Sequence, residues 1–79
     1  MTIGEALSLR VDELLQEKNM TQYRLSILSG VPQSSIGDIR HIRNKTVNIG
    51  IIFGIAQGFG MDLADFFDSP LFRDGNITD

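Results

Sequence analysis

Three residues, Thr21, Gly30 and Pro32, do most to limit what this chain can become. Thr21 can cap a helix, because its hydroxyl accepts from the free amides of a new first turn. Arg24 stands where a capping-box glutamate would be, so that box is incomplete. Gly30 can take the left-handed conformation that closes a helix. Val31 and Pro32 then restart the chain, since proline at a first helical position loses no hydrogen bond and already has a helical φ. The spacing predicts one helix over residues 22–29 and a second beginning at Pro32, with Ile36 and Ile39 as its buried face. Ser26 is small enough for close approach, Gly30 turns the chain, and Val31, Ile36 and Ile39 lock the angle. Two helices crossing steeply through a tight turn need that combination.

The remaining periodicity is also helical, and strand-like alternation is absent. Leu7, Val11, Leu14 and Leu15 share one face of a first helix ending near Asn19. Ile27 and Leu28, beside Leu25, are expected to add to the core. After a polar stretch, Asn48 can cap a fourth helix carrying Ile49, Ile52, Phe53, Ile55, Ala56 and Phe59 inward, and Gly60 ends it. Asp62 caps a short fifth helix whose Leu63, Phe66 and Phe67 close the core, and Pro70 follows the stop. The expectation is an all-α, five-helix bundle over residues 1–68 with a helix-turn-helix at about residues 21–40, and a short C-terminal tail over residues 69–79. A chain of 79 residues buries only about 60% of its unfolded surface, so the core must be compact.

Several functional classes are disfavoured. There is no cysteine and a single histidine, so neither a disulfide framework nor a thiolate or multi-histidine metal site is available. No nucleophile stands at plausible spacing from a base and no phosphate loop is visible, so no enzyme activity and no cofactor are expected. Residues 46–61 carry no charge but fall short of the roughly 20 apolar residues of a spanning helix, and Asn48 and Gln57 interrupt them. With no basic cluster leading into an apolar run at the N-terminus, a cytoplasmic protein away from the membrane is expected. The net charge of −3 hides an uneven distribution. Residues 18–47 hold Lys18, Arg24, Arg40, Arg43 and Lys45 against Asp38, a net of +4, whereas residues 1–17 sum to −3 and residues 48–79 to −4. Local charge decides whether a phosphate backbone is attracted, and the basic island coincides with the helix-turn-helix.

The run Thr21 to Ile39, TQYRLSILSGVPQSSIGDI, followed by IAQGFGMDLADFF from Ile55 to Phe67, resembles the Cro/repressor-type helix-turn-helix family, also called XRE, of bacterial and phage transcriptional regulators. The likeness covers about residues 7–68. It is most specific at Thr21-Gln22, at Ser29-Gly30-Val31-Pro32-Gln33-Ser34 and at Asp65-Phe66-Phe67. The resemblance implies a five-helix domain that binds double-stranded DNA with its third helix in the major groove, usually as a homodimer on an inverted-repeat operator.

With Ile36 and Ile39 facing the core, positions 33, 34, 37, 38 and 41 are expected to point outward. Gln33 can grip an adenine edge through N6 and N7, Ser34 can contact several bases, Asp38 can accept from cytosine N4, and Gly37 leaves the reading face thin. Gln22, at the start of the second helix, is the backbone contact that the resemblance implies, with Tyr23, Arg24 and Ser35 beside it. Arg43, Asn44 and Lys45 follow where the family touches the backbone again. His41 is read as a solvated residue at the helix end.

Some positions depart from the family pattern. Ile42 stands where glycine is common, and Thr46-Val47 where Asn-Pro is frequent. Gly50, Gly54 and Gly58 form a stripe at i, i+4, i+8 that could admit another helix, with Gly50 and Gly54 as homodimer candidates; Leu71 and Phe72 in the tail are a second pair. These features point first to a DNA-binding regulator, most simply a repressor. The alternative is a helix-turn-helix protein-interaction module or an antitoxin with weak or no DNA binding.

Overall fold

A computed structural model describes residues 1–43 and 46–79. Its regular elements are five α-helices, α1 (Ile3–Glu17), α2 (Gln22–Ser29), α3 (Gln33–Arg40), α4 (Ile49–Gly58) and α5 (Leu63–Phe67), followed by a 3-10 turn at Pro70–Phe72. Among the described residues there is no strand, and no helix is long and apolar enough to cross a membrane.

The caps follow from the side chains. Thr21 Oγ1 accepts from the Arg24 amide at 3.0 Å, Asn48 Oδ1 from the Gly50 amide at 2.7 Å, and Asp62 Oδ1 from the Asp65 amide at 2.7 Å. Thr2 and Glu5 add a full capping box at the start of α1, a Thr-x-x-Glu signal in the sequence that hydrophobic periodicity does not use. α1 ends at Glu17, earlier than expected, because Asn19 adopts a left-handed conformation there (φ 52°) and the amides of Asn19 and Met20 bond back to Gln16 and Leu15. Gly30 closes α2 at φ 73°. Pro32 caps α3 from just outside, rather than occupying its first turn.

The core is built from Leu7, Val11, Leu14 and Leu15 of α1, Leu25 and Val31 around the turn, Ile36 and Ile39 of α3, Ile52, Ile55, Ala56 and Phe59 at α4, and Phe66. α2 packs mainly on α4, and α1 on α3. Four expectations for the core fail. Ile49 and Phe53 lie on the outer side of α4, 61% and 45% exposed, and Ile27 and Leu28 of α2 are exposed too. The inward seam of α4 is narrow, running through Ile52, Ile55 and Ala56, because the glycine edge of the helix supplies the contact with α2.

That edge corrects the reading of the glycine stripe. A Cβ on Gly58 would lie 2.8 Å from Ser29 Cβ and 2.9 Å from Leu25 Cδ1, and one on Gly54 would lie 3.0 Å from Val31 Cγ2. The close approach is therefore to α2 and the turn of the same chain. Gly54 is spent on this internal contact; Gly50 alone of the stripe is exposed.

The C-terminal residues run back along α1. Phe72, a homodimer candidate, is half-buried in an aromatic cluster with Phe66 and Phe67, at centroid distances of 6.5 and 5.0 Å. Leu71 is half-buried beside Leu9. The Thr78 amide donates to Met1 O and the Ile3 amide to Asp79 Oδ1. Arg10 links α1 to α5: its guanidinium is buried, donates to Phe66 O at 2.7 Å and Asp65 O at 3.0 Å, and pairs with Glu13. A lone arginine in an apolar repeat gave no hint of that bond in the sequence.

Candidate nucleic-acid interface

The geometry of the helix-turn-helix starts from its buried side. Ile36 and Ile39 anchor α3 to the core, and Leu25 anchors α2. What remains outward at the start of α3 is Gln33 and Ser34, both exposed, and at the start of α2 Tyr23 and Arg24 are exposed too. Arg24 makes no ion pair among the described residues, so its charge is available to solvent or to an anion. Gln33, Ser34, Tyr23 and Arg24 are thus all exposed, and the two helix starts are joined by the bond from Gln22 Nε2 to Gln33 O.

The rest of α3 is arranged differently. Gly37 does not face outward: it is buried, and a Cβ there would lie 3.6 Å from Gln22 Nε2 and 4.0 Å from an Arg43 nitrogen, because those two side chains fold over it. Asp38 is half-buried, accepts from Arg43 at 3.3 Å, and lines a pocket of about 80 Å³ with Ser35, Ile39, Thr46, Val47, Asn48 and Ile51. Asp38 and Ser35 thus border an opening between α3 and the start of α4, and Arg43 pairs with Asp38. His41 is exposed at the end of α3. Asn44 and Lys45, expected at the backbone, lie outside the described residues.

Gln22 has a defined role that its residue type did not reveal. Its Nε2 donates to Gln33 O at 3.2 Å, and its Oε1 accepts from Arg40 at 2.9 Å; Arg40 Nε in turn donates to Asp12 at 2.6 Å. The amide spans α3 from its first residue to its last, over Gly37. Arg40 and Asp12 are participants that sequence reasoning missed, since nothing in the spacing of residues 12 and 40 signals contact across two helices.

The α3 terminus carries one strained residue. Ile42 sits at φ 55°, while the amides of Ile42 and Arg43 bond back to Ile39 and Asp38 in the pattern that normally places glycine there. The family's glycine position thus keeps its backbone conformation with isoleucine in it, and Ile42 Cγ2 packs over Gly4, where a Cβ would lie at 3.2 Å.

Comparison with known proteins agrees with this geometry. The family described as Cro/C1-type HTH DNA-binding domain matches residues 10–70. Among solved structures, the chain is similar to the prophage Lp1 protein 11, with a TM-score of 0.80 and 31% identity over 94% of this chain and 97% of that one. No curated protein matches it.

Proposed function

The chain belongs to the Cro/C1-type helix-turn-helix DNA-binding domain family, and from that premise we propose that it is a sequence-specific double-stranded-DNA-binding transcriptional regulator. It reads the major groove with the start of α3 and represses by occupying its site as a cytoplasmic homodimer on an inverted repeat. The observation that carries this reading is the exposure of Gln33 and Ser34 at the start of α3 and of Tyr23 and Arg24 at the start of α2, with Arg24 in no ion pair among the described residues. Gln33 supplies the bidentate donor and acceptor that suit an adenine edge, and Arg24 supplies a sequence-independent phosphate contact. The exposed Gly50, with Ile49 and Phe53 beside it, and half-buried Leu71 are the places left for a second copy.

A protein-interaction or antitoxin role is the second reading, favoured by the exposed apolar side chains Leu28, Ile49 and Phe53 and by the pairing of Arg43 with Asp38. Selection of the purified protein against a random duplex library at low salt separates the two, because phosphate contacts weaken steeply as salt rises. Recovery of an inverted repeat with half-sites about one helical turn apart supports the regulator. Recovery of no sequence above background refutes it and leaves the interaction module.

A further inference from the structure

We propose that Arg40 is a positioning residue that sets the orientation of the Gln22 amide, and through it the specificity of the interface, without itself binding phosphate. The inference rests on the DNA-binding reading above.

A glutamine amide has an acceptor end and a donor end, and turning it by half a revolution exchanges them. Which end faces which neighbour is set by what the neighbours can do. The Gln33 carbonyl can only accept, and the Arg40 guanidinium can only donate. With Gln22 lying along α3 between these two, only one orientation satisfies both: Oε1 toward Arg40 at 2.9 Å and Nε2 toward Gln33 O at 3.2 Å. One N–H of Nε2 is used by Gln33, which leaves the second without a protein partner among the described residues. If Arg40 were removed, the acceptor end would lose its only protein partner among the described residues, and the amide could present either end.

Arg40 is in turn fixed from behind. Its Nε donates to Asp12 of α1 at 2.6 Å, and both side chains are only partly exposed, at 33% and 47%. Two of its directions are therefore committed within the protein, and its charge is offset by a carboxylate. That separates it from Arg24, which has neither constraint among the described residues. A cation on α3 is an obvious phosphate contact by residue type, yet the bonds point to a different task. Asp12, Arg40, Gln22 and Gln33 form one chain from the acidic first helix to the first residue of α3, and the Gln22 side chain passes Gly37 at van der Waals distance from where a Cβ would sit.

The test compares the intact protein with Arg40→Met, Arg40→Lys and Arg24→Met. In the free proteins, the Gln22 side-chain NH2 resonances in 15N-edited NMR report the orientation directly. Arg40→Met should move them toward free-amide positions, while Arg40→Lys, which can still only donate, should retain most of the bound pattern. Binding is then measured on a duplex selected from the random library and on a random-sequence duplex of equal length, over a range of salt. Arg40→Met should lower the preference for the selected duplex about tenfold, the scale of one oriented hydrogen bond, with the salt slope unchanged. Arg24→Met should instead weaken both duplexes alike and flatten the slope by about 0.9, one phosphate's worth. Unchanged Gln22 resonances in Arg40→Met would overturn the inference. So would parallel loss on both duplexes with a flattened slope, which would make Arg40 an ordinary phosphate contact. Failure to select any duplex would remove the DNA-binding reading and the specificity role with it, and the free-protein resonances would distinguish that outcome from failure of the Arg40 relay itself.

Discussion

Replacing Gly58 by alanine should destabilise the fold, against the usual direction for a glycine in a helix. In an open helix interior the change gains about 1 kcal/mol, since alanine loses less backbone entropy. Here the new Cβ would sit 2.8 Å from Ser29 Cβ, 2.9 Å from Leu25 Cδ1 and 3.1 Å from Ser29 Cα. The leucine terminus can swing, but the Ser29 backbone cannot without displacing the end of α2. Overpacking of this kind costs about 1 to 3 kcal/mol, so the net loss is about 1 kcal/mol with an upper bound near 2. For a domain of this size that lowers the melting temperature by about 4–16 °C. Gly54→Ala should be close to neutral, because it meets mainly the Val31 methyl at 3.0 Å, and Gly50→Ala, which meets only the Asn48 cap oxygen at 3.0 Å, should lose least. Thermal and urea unfolding followed by circular dichroism at several protein concentrations measures the series. Increased stability of Gly58→Ala would show that α2 does not lie against α4 as described. A loss that vanished on dilution would return the stripe to an interface between copies.

Three other perturbations follow from the structure. Arg10→Met strands the Phe66 carbonyl, removes one of the two donors to Asp65 O, and should cost about 1 to 3 kcal/mol in urea unfolding; a loss under about 1 kcal/mol would mean the guanidinium is not the tie between α1 and α5. Ile42→Gly relieves a left-handed β-branched residue and should gain about 1 kcal/mol despite the lost contact over Gly4; a lower melting temperature would show that the contact outweighs the strain. The Glu5 carboxyl is held below its ordinary value of 4.5, first by the Thr2 amide, then by the Thr2 hydroxyl, with a smaller contribution from the terminal ammonium. A depressed folded-state value means that its contribution is present above the ordinary value and lost as pH falls through the lowered one. Glu5→Gln should accordingly flatten the acid limb of the stability profile below about pH 4.5, and an unchanged limb would contradict the assignment.

The fold was legible where a local rule decided the outcome. Thr21, Gly30, Asn48, Gly60 and Asp62 act through their own backbone neighbours, and each marks the boundary its chemistry suggests. Faces were harder. Ile49 and Phe53 fit the apolar period of α4 but are exposed, because the glycine edge, not the bulkiest side chains, meets α2. Periodicity weighs hydrophobicity and gives glycine no packing value, so it placed the seam too wide. Among the candidate reading residues, the exposure of Gln33 and Ser34 was legible because it follows from Ile36 and Ile39 facing inward. The placement of Gly37 and Asp38 was not, since their surroundings depend on where Gln22 and Arg43 fold back. The contact between Asp12 and Arg40 joins residues far apart in the chain by a single hydrogen-bonded pair, which no local pattern encodes.

The most direct test of the central claim is the affinity of Gln33→Ala for a selected duplex and for the set of duplexes that differ from it by one base pair. If α3 reads the groove through Gln33, the substitution should cost about 1 to 3 kcal/mol on the selected duplex and abolish discrimination at one position of each half-site, with the other positions unchanged. Full discrimination retained at every position, or uniform weakening on all duplexes, would contradict the account.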